Sequence, residues 1–227
     1  MALTGDSMMA NDSRKSQGIH QNQPILTAGA PLQEAQAALI MVHGRGATAE
    51  SILSLAAELR HPGFAYIAPQ ASSNTWYPYP FMEPMEKNEP WLSSALLRLE
   101  ETLTHVAAYV PYERIMLLGF SQGACLTTEF AARHARRYGG VVGLSGGLIG
   151  PDGTPRDYPG SFESTPVFLG CSDTDFHIPK VRVEETGRVL STLGAHVTVR
   201  LYPNMGHAVN EDELAFVSSM MSEVAAK

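Results

Sequence analysis

Arg114-Ile-Met-Leu-Leu-Gly-Phe-Ser-Gln-Gly-Ala124 carries the pattern on which the reading of this chain turns. Residues 114–119 form an apolar run of strand length, and Gln122–Arg136 follow with helical spacing, so Gly119-Phe-Ser121-Gln-Gly123 falls on a sharp strand-to-helix turn. A serine hydroxyl is a poor nucleophile until such a turn projects it where a base reaches its proton and a backbone N–H meets the resulting oxyanion. Glycines two residues to either side of Ser121 remove the Cβ atoms that would hold strand and helix apart. By itself G-x-S-x-G also occurs at ordinary strand–helix connections. The strand before it and the helix after it point to a nucleophile elbow with Ser121 as nucleophile.

An elbow of this kind calls for an acid and then a histidine further along, each on a loop after a strand. The buried-type run Thr165–Gly170 empties into Cys171-Ser-Asp173-Thr-Asp175-Phe-His-Ile-Pro179, and the alternating run His196–Tyr202 empties into Pro203-Asn-Met-Gly206-His207. His207 is the expected base. Asp173 and Asp175 share one loop, and either could orient the imidazole. Asp175 is preferred because it stands four residues before Pro179, which opens the next helical pattern; Asp173 then stabilises the loop or caps the helix. His61, His105, His134 and His196 fall on helix surfaces or element ends and read as solvated.

The first strong strand, Ala37–His43, runs into Gly44-Arg45-Gly46-Ala47. A His-Gly-x-Gly turn there presents backbone N–H groups toward the elbow, and the expected oxyanion donors are the amides of Arg45 and Gln122. Their side chains need take no part. The Arg45 guanidinium reads equally as a contact for an anionic substrate or as a surface charge.

Taken in order, His43-Gly-Arg-Gly46, Ala68-Pro-Gln70, Gly119-Phe-Ser-Gln-Gly-Ala124, Asp175-x-x-Ile-Pro179 and Gly206-His207 resemble the phospholipase/carboxylesterase family, small α/β-hydrolases that include bacterial carboxylesterases and acyl-protein thioesterases. The resemblance covers residues 35–225. It implies a serine esterase without cofactor or metal, with Ser121, Asp175 and His207 as triad and the Arg45 and Gln122 amides as oxyanion hole. Two departures bear on substrate preference: the loop 71–89 is long and aromatic, and the family's frequent Asp-Pro at the acid is Asp175-Phe176 here.

With 227 residues and 44% hydrophobic content, the chain is large enough for one substantial core but not comfortably for two. Residues 19–227 are expected to form a single domain behind a flexible or vector-derived extension at 1–18, whose mixed polar sequence has no period. A formal charge of −7 leaves no basic footprint for nucleic acid or anionic membrane. Apolar runs are strand-length, so no membrane span is expected, and the first residues lack the basic-then-apolar order of a signal peptide. The default expectation is a cytoplasmic protein, possible as a homodimer. Cys125 and Cys171 make no disulfide framework and read as reduced and partly buried. The histidines show no H-E-x-x-H pairing, so no metal is expected.

Strands at Gln23–Ala28, Ala37–His43, 65–68, 114–119, 140–145, 166–170 and 196–202 alternate with helices at 49–59, 91–109, 122–136, 180–193 and 212–225. That order predicts an α/β-hydrolase fold: a mostly parallel central sheet with helices on both faces. The segment 146–165 is too short and turn-like for a large cap domain, so the site should lie open. A wall is expected instead from Asn74-Thr-Trp-Tyr-Pro-Tyr-Pro-Phe-Met-Glu-Pro-Met85, with four aromatics, three prolines and two methionines in twelve residues. Trp76, Tyr77 and Phe81 are the expected substrate-binding residues, with Ile178 opposite; the plainer reading has the rings plug the domain's own edge. The expected activity is hydrolysis of small short-to-medium-chain esters. The alternatives are an acyl-protein thioesterase or lysophospholipase acting on longer chains, a dienelactone-hydrolase-like enzyme, which resembles this fold with cysteine at the elbow, and a non-catalytic module, which should lack a triad member.

Overall fold

A computed structural model describes residues 18–226. Residues 1–17 of the expected N-terminal extension lie outside the described residues. Seven strands build one sheet: β1 (Ile25–Gly29), β2 (Ala37–Val42), β3 (Phe64–Pro69), β4 (Ile115–Phe120), β5 (Gly140–Leu144), β6 (Pro166–Ser172) and β7 (His196–Tyr202). Their order is β1-β3-β2-β4-β5-β6-β7. β1 pairs antiparallel with β3, and every other pairing is parallel.

Alternation along the central strands sorts side chains between two apolar layers. Ala38, Ile40, Ile115 and Leu117 face the layer filled by α3 (Trp91–Ala107), α4 (Gln122–Arg133) and α5 (Lys180–Thr192). Leu39, Met41, Met116 and Leu118 face the layer of α1 (Ala49–Leu53), α2 (Leu55–Glu58) and α6 (Glu211–Ala225). β2 and β3 are buried along their whole length, as parallel strands covered on both faces must be.

Two helices depart from the sequence expectation. The single helix expected at 49–59 breaks at Ser54, whose hydroxyl donates to the Ser51 carbonyl; such local bonds compete with the regular ladder. α4 stops at Arg133 rather than 136, and the His134 carbonyl there accepts from the Tyr138 hydroxyl at 2.8 Å. Segment 146–165 holds no helix. It is fixed to α5 by the buried Arg182, which donates to the carbonyls of Leu148 (2.9 Å) and Gly150 (2.6 Å) and to Asp152 (2.7 Å). Among the described residues, no helix is long and apolar enough to cross a membrane.

Where β4 hands over to α4, the backbones come unusually close. A Cβ on Gly119 would stand 2.2 Å from the Gly123 carbonyl oxygen, and one on Gly123 would stand 2.1 Å from that of Val42. Both contacts are with backbone, which cannot swing aside as a side-chain tip can. Gly123→Ala is therefore expected to lower stability by about 3 kcal/mol or more in urea unfolding; a loss under about 1 kcal/mol would show that α4 can shift away from β2.

Candidate active site

Ser121 sits between β4 and α4 with φ 56° and ψ −122°, a conformation that costs a non-glycine residue about 1–3 kcal/mol. Its amide donates to the Leu144 carbonyl (2.9 Å) and its carbonyl accepts from the Cys125 amide (3.0 Å), so the neighbouring strand and helix hold the turn. The hydroxyl projects from the C-terminal edge of the parallel sheet, where the loops after β2, β6 and β7 also converge.

The His207 ring bridges two of those loops. Its Nε2 lies 2.8 Å from Ser121 Oγ and its Nδ1 2.7 Å from Asp175 Oδ2. An ionised carboxylate only accepts, so Nδ1 carries the proton and Nε2 is left to receive that of Ser121. The Asp175 side chain is fully buried, and its Oδ1 accepts the amides of His177 (2.8 Å) and Ile178 (3.1 Å). Burial alone pushes this carboxyl up, but the bonds from His207 and the two amides outweigh it and hold the group below its ordinary value. Asp173 lies elsewhere, its Oδ1 accepting the Asn204 amide at 2.9 Å. Ser172 Oγ accepts the Gly206 amide at 3.1 Å, so the acid loop steadies the segment that presents His207.

Arg45 and Gln122 line the same cleft as Ser121, and neither backbone amide donates a hydrogen bond among the described residues. Their side chains are far from idle. Gln122 Nε2 donates to the Tyr77 carbonyl (2.8 Å), and its Oε1 accepts from the Trp76 amide (2.9 Å) and the Thr75 hydroxyl (3.3 Å). Arg45 donates from Nη1 to the Pro78 carbonyl (2.8 Å) and from Nη2 to that of Tyr79 (2.9 Å). The turn at Gly44–Gly46 and the elbow thus share one hydrogen-bonded unit with the aromatic loop.

A cleft of ≈ 590 Å³ opens over Ser121, walled by Tyr77, Pro78, Pro80 and Phe81 and faced by His177 and Ile178. Trp76 corrects the sequence expectation. It is fully buried and does not line the cleft; its indole N–H donates to the His43 carbonyl at 2.9 Å, and a tryptophan with its one polar atom satisfied inside the core is a structural plug. The plainer reading of the loop holds for Trp76 and largely for Tyr77, which borders the cleft but is 1% exposed and packs in the core, while Phe81 borders the cleft at 8% exposed.

Two buried imidazoles flank that plug, with ring centroids 5.4 Å (His20) and 5.1 Å (His43) from Trp76. His20 Nδ1 accepts the Ser72 amide and its Nε2 faces the Trp76 carbonyl; His43 Nε2 accepts the Ala71 amide and its Nδ1 faces the Gly44 carbonyl. Sequence reasoning passed over His20 altogether, since a histidine in a polar N-terminal stretch carries no signal. His177 was also missed as a cleft residue. Its ring meets His207 edge-on at 4.8 Å, and only the fold brings these two loops together. Of the histidines expected to be solvated, His105 and His196 are exposed, whereas His61 and His134 are half-buried, His134 against Phe130 at 4.6 Å. Both cysteines are free and fully buried, each thiol pushed up to about 12, in the first place by burial. Cys125 lies under the cleft and Cys171 stands 3.8 Å from Asp175.

The chain matches the model of the phospholipase/carboxylesterase family over residues 25–225. A solved phospholipase/carboxylesterase from Dyadobacter fermentans is 42% identical over 88% of this chain and 96% of that one, with a TM-score of 0.85. Acyl-protein thioesterase 1 of Debaryomyces hansenii is 29% identical over 119 residues, 52% of this chain and 51% of that protein, so the chain spans about half the length of this relative. The acyl-protein thioesterase 1 of Eremothecium gossypii is 28% identical over 218 residues, 82% of this chain and 89% of that protein.

Stability should carry the signature of the buried titratable groups. Burial lowers His20 and His43, so both stay neutral in the folded chain while the unfolded chain takes up protons near pH 6.5. Their contribution is present above that pH and lost as pH falls. Glu213, fully buried on α6, has the opposite sign: burial pushes its carboxyl up to about 7, so between pH 7 and 4.5 the folded chain binds the extra proton and gains stability as pH falls. Removing that compensation with Glu213→Gln should steepen the loss between pH 6.5 and 5 by about 1.4 kcal/mol per pH unit relative to wild type. Urea titrations at several pH values measure it, and parallel pH profiles for the two proteins would contradict it.

Proposed function

The chain belongs to the phospholipase/carboxylesterase family, and from that premise we propose that it is a serine carboxylesterase acting on short-to-medium-chain esters. The observation that carries the reading is the unbroken relay Ser121–His207–Asp175, with links of 2.8 and 2.7 Å, at the floor of an open cleft.

In this mechanism His207 Nε2 takes the hydroxyl proton as Ser121 Oγ bonds to the ester carbonyl carbon. The carbonyl oxygen becomes an oxyanion that accepts from the Arg45 and Gln122 amides. Asp175 holds the imidazole in the productive tautomer and stabilises it once charged. Collapse of the tetrahedral adduct breaks the ester C–O bond, and His207 returns its proton to the departing alcohol. Water then attacks the acyl-serine, giving its proton to His207; Ser121 leaves with that proton and the carboxylic acid is released. Residues 19–227 act in this reading as one domain.

Ser121→Ala is expected to abolish turnover of p-nitrophenyl esters, and an acyl-serine-forming inhibitor to label Ser121 alone. Asp175→Asn should lower kcat by about three to four orders of magnitude, and Asp173→Asn by far less, since its carboxylate accepts from the Asn204 amide rather than from the His207 ring. Normal turnover by the alanine variant ends the proposal, and a reversed ranking of the two aspartates reassigns the acid.

Chain length separates the main reading from the thioesterase or lysophospholipase alternative, which the thioesterase relatives favour. Each methylene laid against Tyr77, Pro80 and Phe81 adds about 0.8 kcal/mol, roughly fourfold in kcat/KM, until the wall ends after roughly six to eight carbons. Phe81→Ala should flatten that rise, because it removes wall that an acetyl group never reaches. Palmitoyl esters or thioesters as best substrates would replace the short-chain reading.

A further inference from the structure

Two prolines shape the wall of the cleft and leave it short of donors. Pro78 and Pro80 have no N–H, so the stretch 77–81 cannot satisfy its own carbonyls by pairing as a strand would. Its carbonyls look outward instead. That of Tyr77 accepts from Gln122, that of Phe81 from the Gly150 amide (2.8 Å), and that of Pro80 from the Glu83 amide (3.1 Å) and Asn88 Nδ2 (3.4 Å). The remaining two, of Pro78 and Tyr79, both accept from the guanidinium of Arg45, whose Cζ also stands 5.9 Å from the centre of the Tyr77 ring.

We infer that the Arg45 side chain is a positioning residue for acyl-chain selection, clamping the 77–81 wall to the turn whose backbone serves the oxyanion. The inference rests on the esterase reading and deepens it. Trp76 and Gln122 tie the loop from buried positions, whereas Arg45 is exposed and grips the wall from the solvent side. A bond network at the surface contributes little to global stability, because both partners would otherwise be hydrated. Its effect is on order: one planar fork spans two successive carbonyls, so the distance from Ser121 to Pro78, Pro80 and Phe81 stays fixed before substrate arrives. Lysine offers a compact charge on a flexible stem, without the rigid planar fork that meets both oxygens at once. The guanidinium is thus not a free surface charge: two of its five N–H donors are engaged by the wall.

The test pairs Arg45→Met and Arg45→Lys with wild type in two measurements. In the first, p-nitrophenyl acetate, butyrate, hexanoate and octanoate are compared. The ratio of kcat/KM for hexanoate to that for acetate should fall about fivefold in Arg45→Met, chiefly through KM of the longer ester, and less in Arg45→Lys. In the second, amide hydrogen exchange is followed in the intact protein without substrate; peptides covering 75–83 should exchange faster in Arg45→Met while those covering β4 and β6 do not change. Unaltered exchange across 75–83, or a loss of kcat/KM equal at every chain length, overturns the clamp. If wild type hydrolyses none of these esters while exchange still rises on substitution, the esterase reading fails, and with it the selective role, leaving a loop clamp alone.

Discussion

Between Gly123 and the carbonyl oxygens of Val42 and His43 there is no room for a side chain, and the groups around Ser121 take their places from that approach. Because α4 starts this close to β2, the turn between β4 and α4 must be sharp enough to carry Ser121 at positive φ. The same closeness sets the Gln122 amide, at the first position of α4, beside the loop that leaves β2. An unfavourable backbone conformation persists only where its surroundings leave no alternative. Here the surroundings are the buried centre of a parallel sheet, the least deformable part of the molecule.

Asp175 and His207 are organised from one strand. Asp175 follows β6, and from that same end Ser172 and Asp173 fasten the backbone at Gly206 and Asn204. The orientation of His207 is therefore governed by β6 as much as by β7, the edge strand that carries it. The aromatic loop is organised from the other side, through the two imidazoles packed on Trp76. Each ring accepts a backbone N–H, which an imidazolium could not do, so the wall of the cleft depends on two neutral histidines that take no part in bond making.

What sequence could and could not disclose follows from the range of each interaction. The elbow, the Gly206-His207 pair and the strand–helix alternation are local patterns whose meaning lies within a few residues. They placed Ser121, His207 and the sheet. Asp175 over Asp173 rested on spacing to Pro179, still a local cue. Trp76 could not be placed that way, because a tryptophan among Tyr77, Pro78 and Tyr79 looks the same whether it faces a cleft or a core; its partner, the His43 carbonyl, is 33 residues away. The roles of the Arg45 and Gln122 side chains are hidden for the same reason, because their bonds reach 33 to 47 residues along the chain. The break at Ser54 was hidden because Ser51 and Ser54 suit helix surfaces as well as caps.

Cys125 and Cys171 bracket the relay from below and behind, and their burial shapes the redox character of the molecule. Only a thiolate attacks electrophiles or peroxide, and a thiol pushed up to about 12 is ionised at neutral pH to roughly one part in 10⁵. Sulfur chemistry is thereby held back beneath a cleft whose floor carries the Ser121 hydroxyl. Both sulfurs stay protonated and out of solvent, so neither presents a thiolate to an electrophile that reaches the cleft.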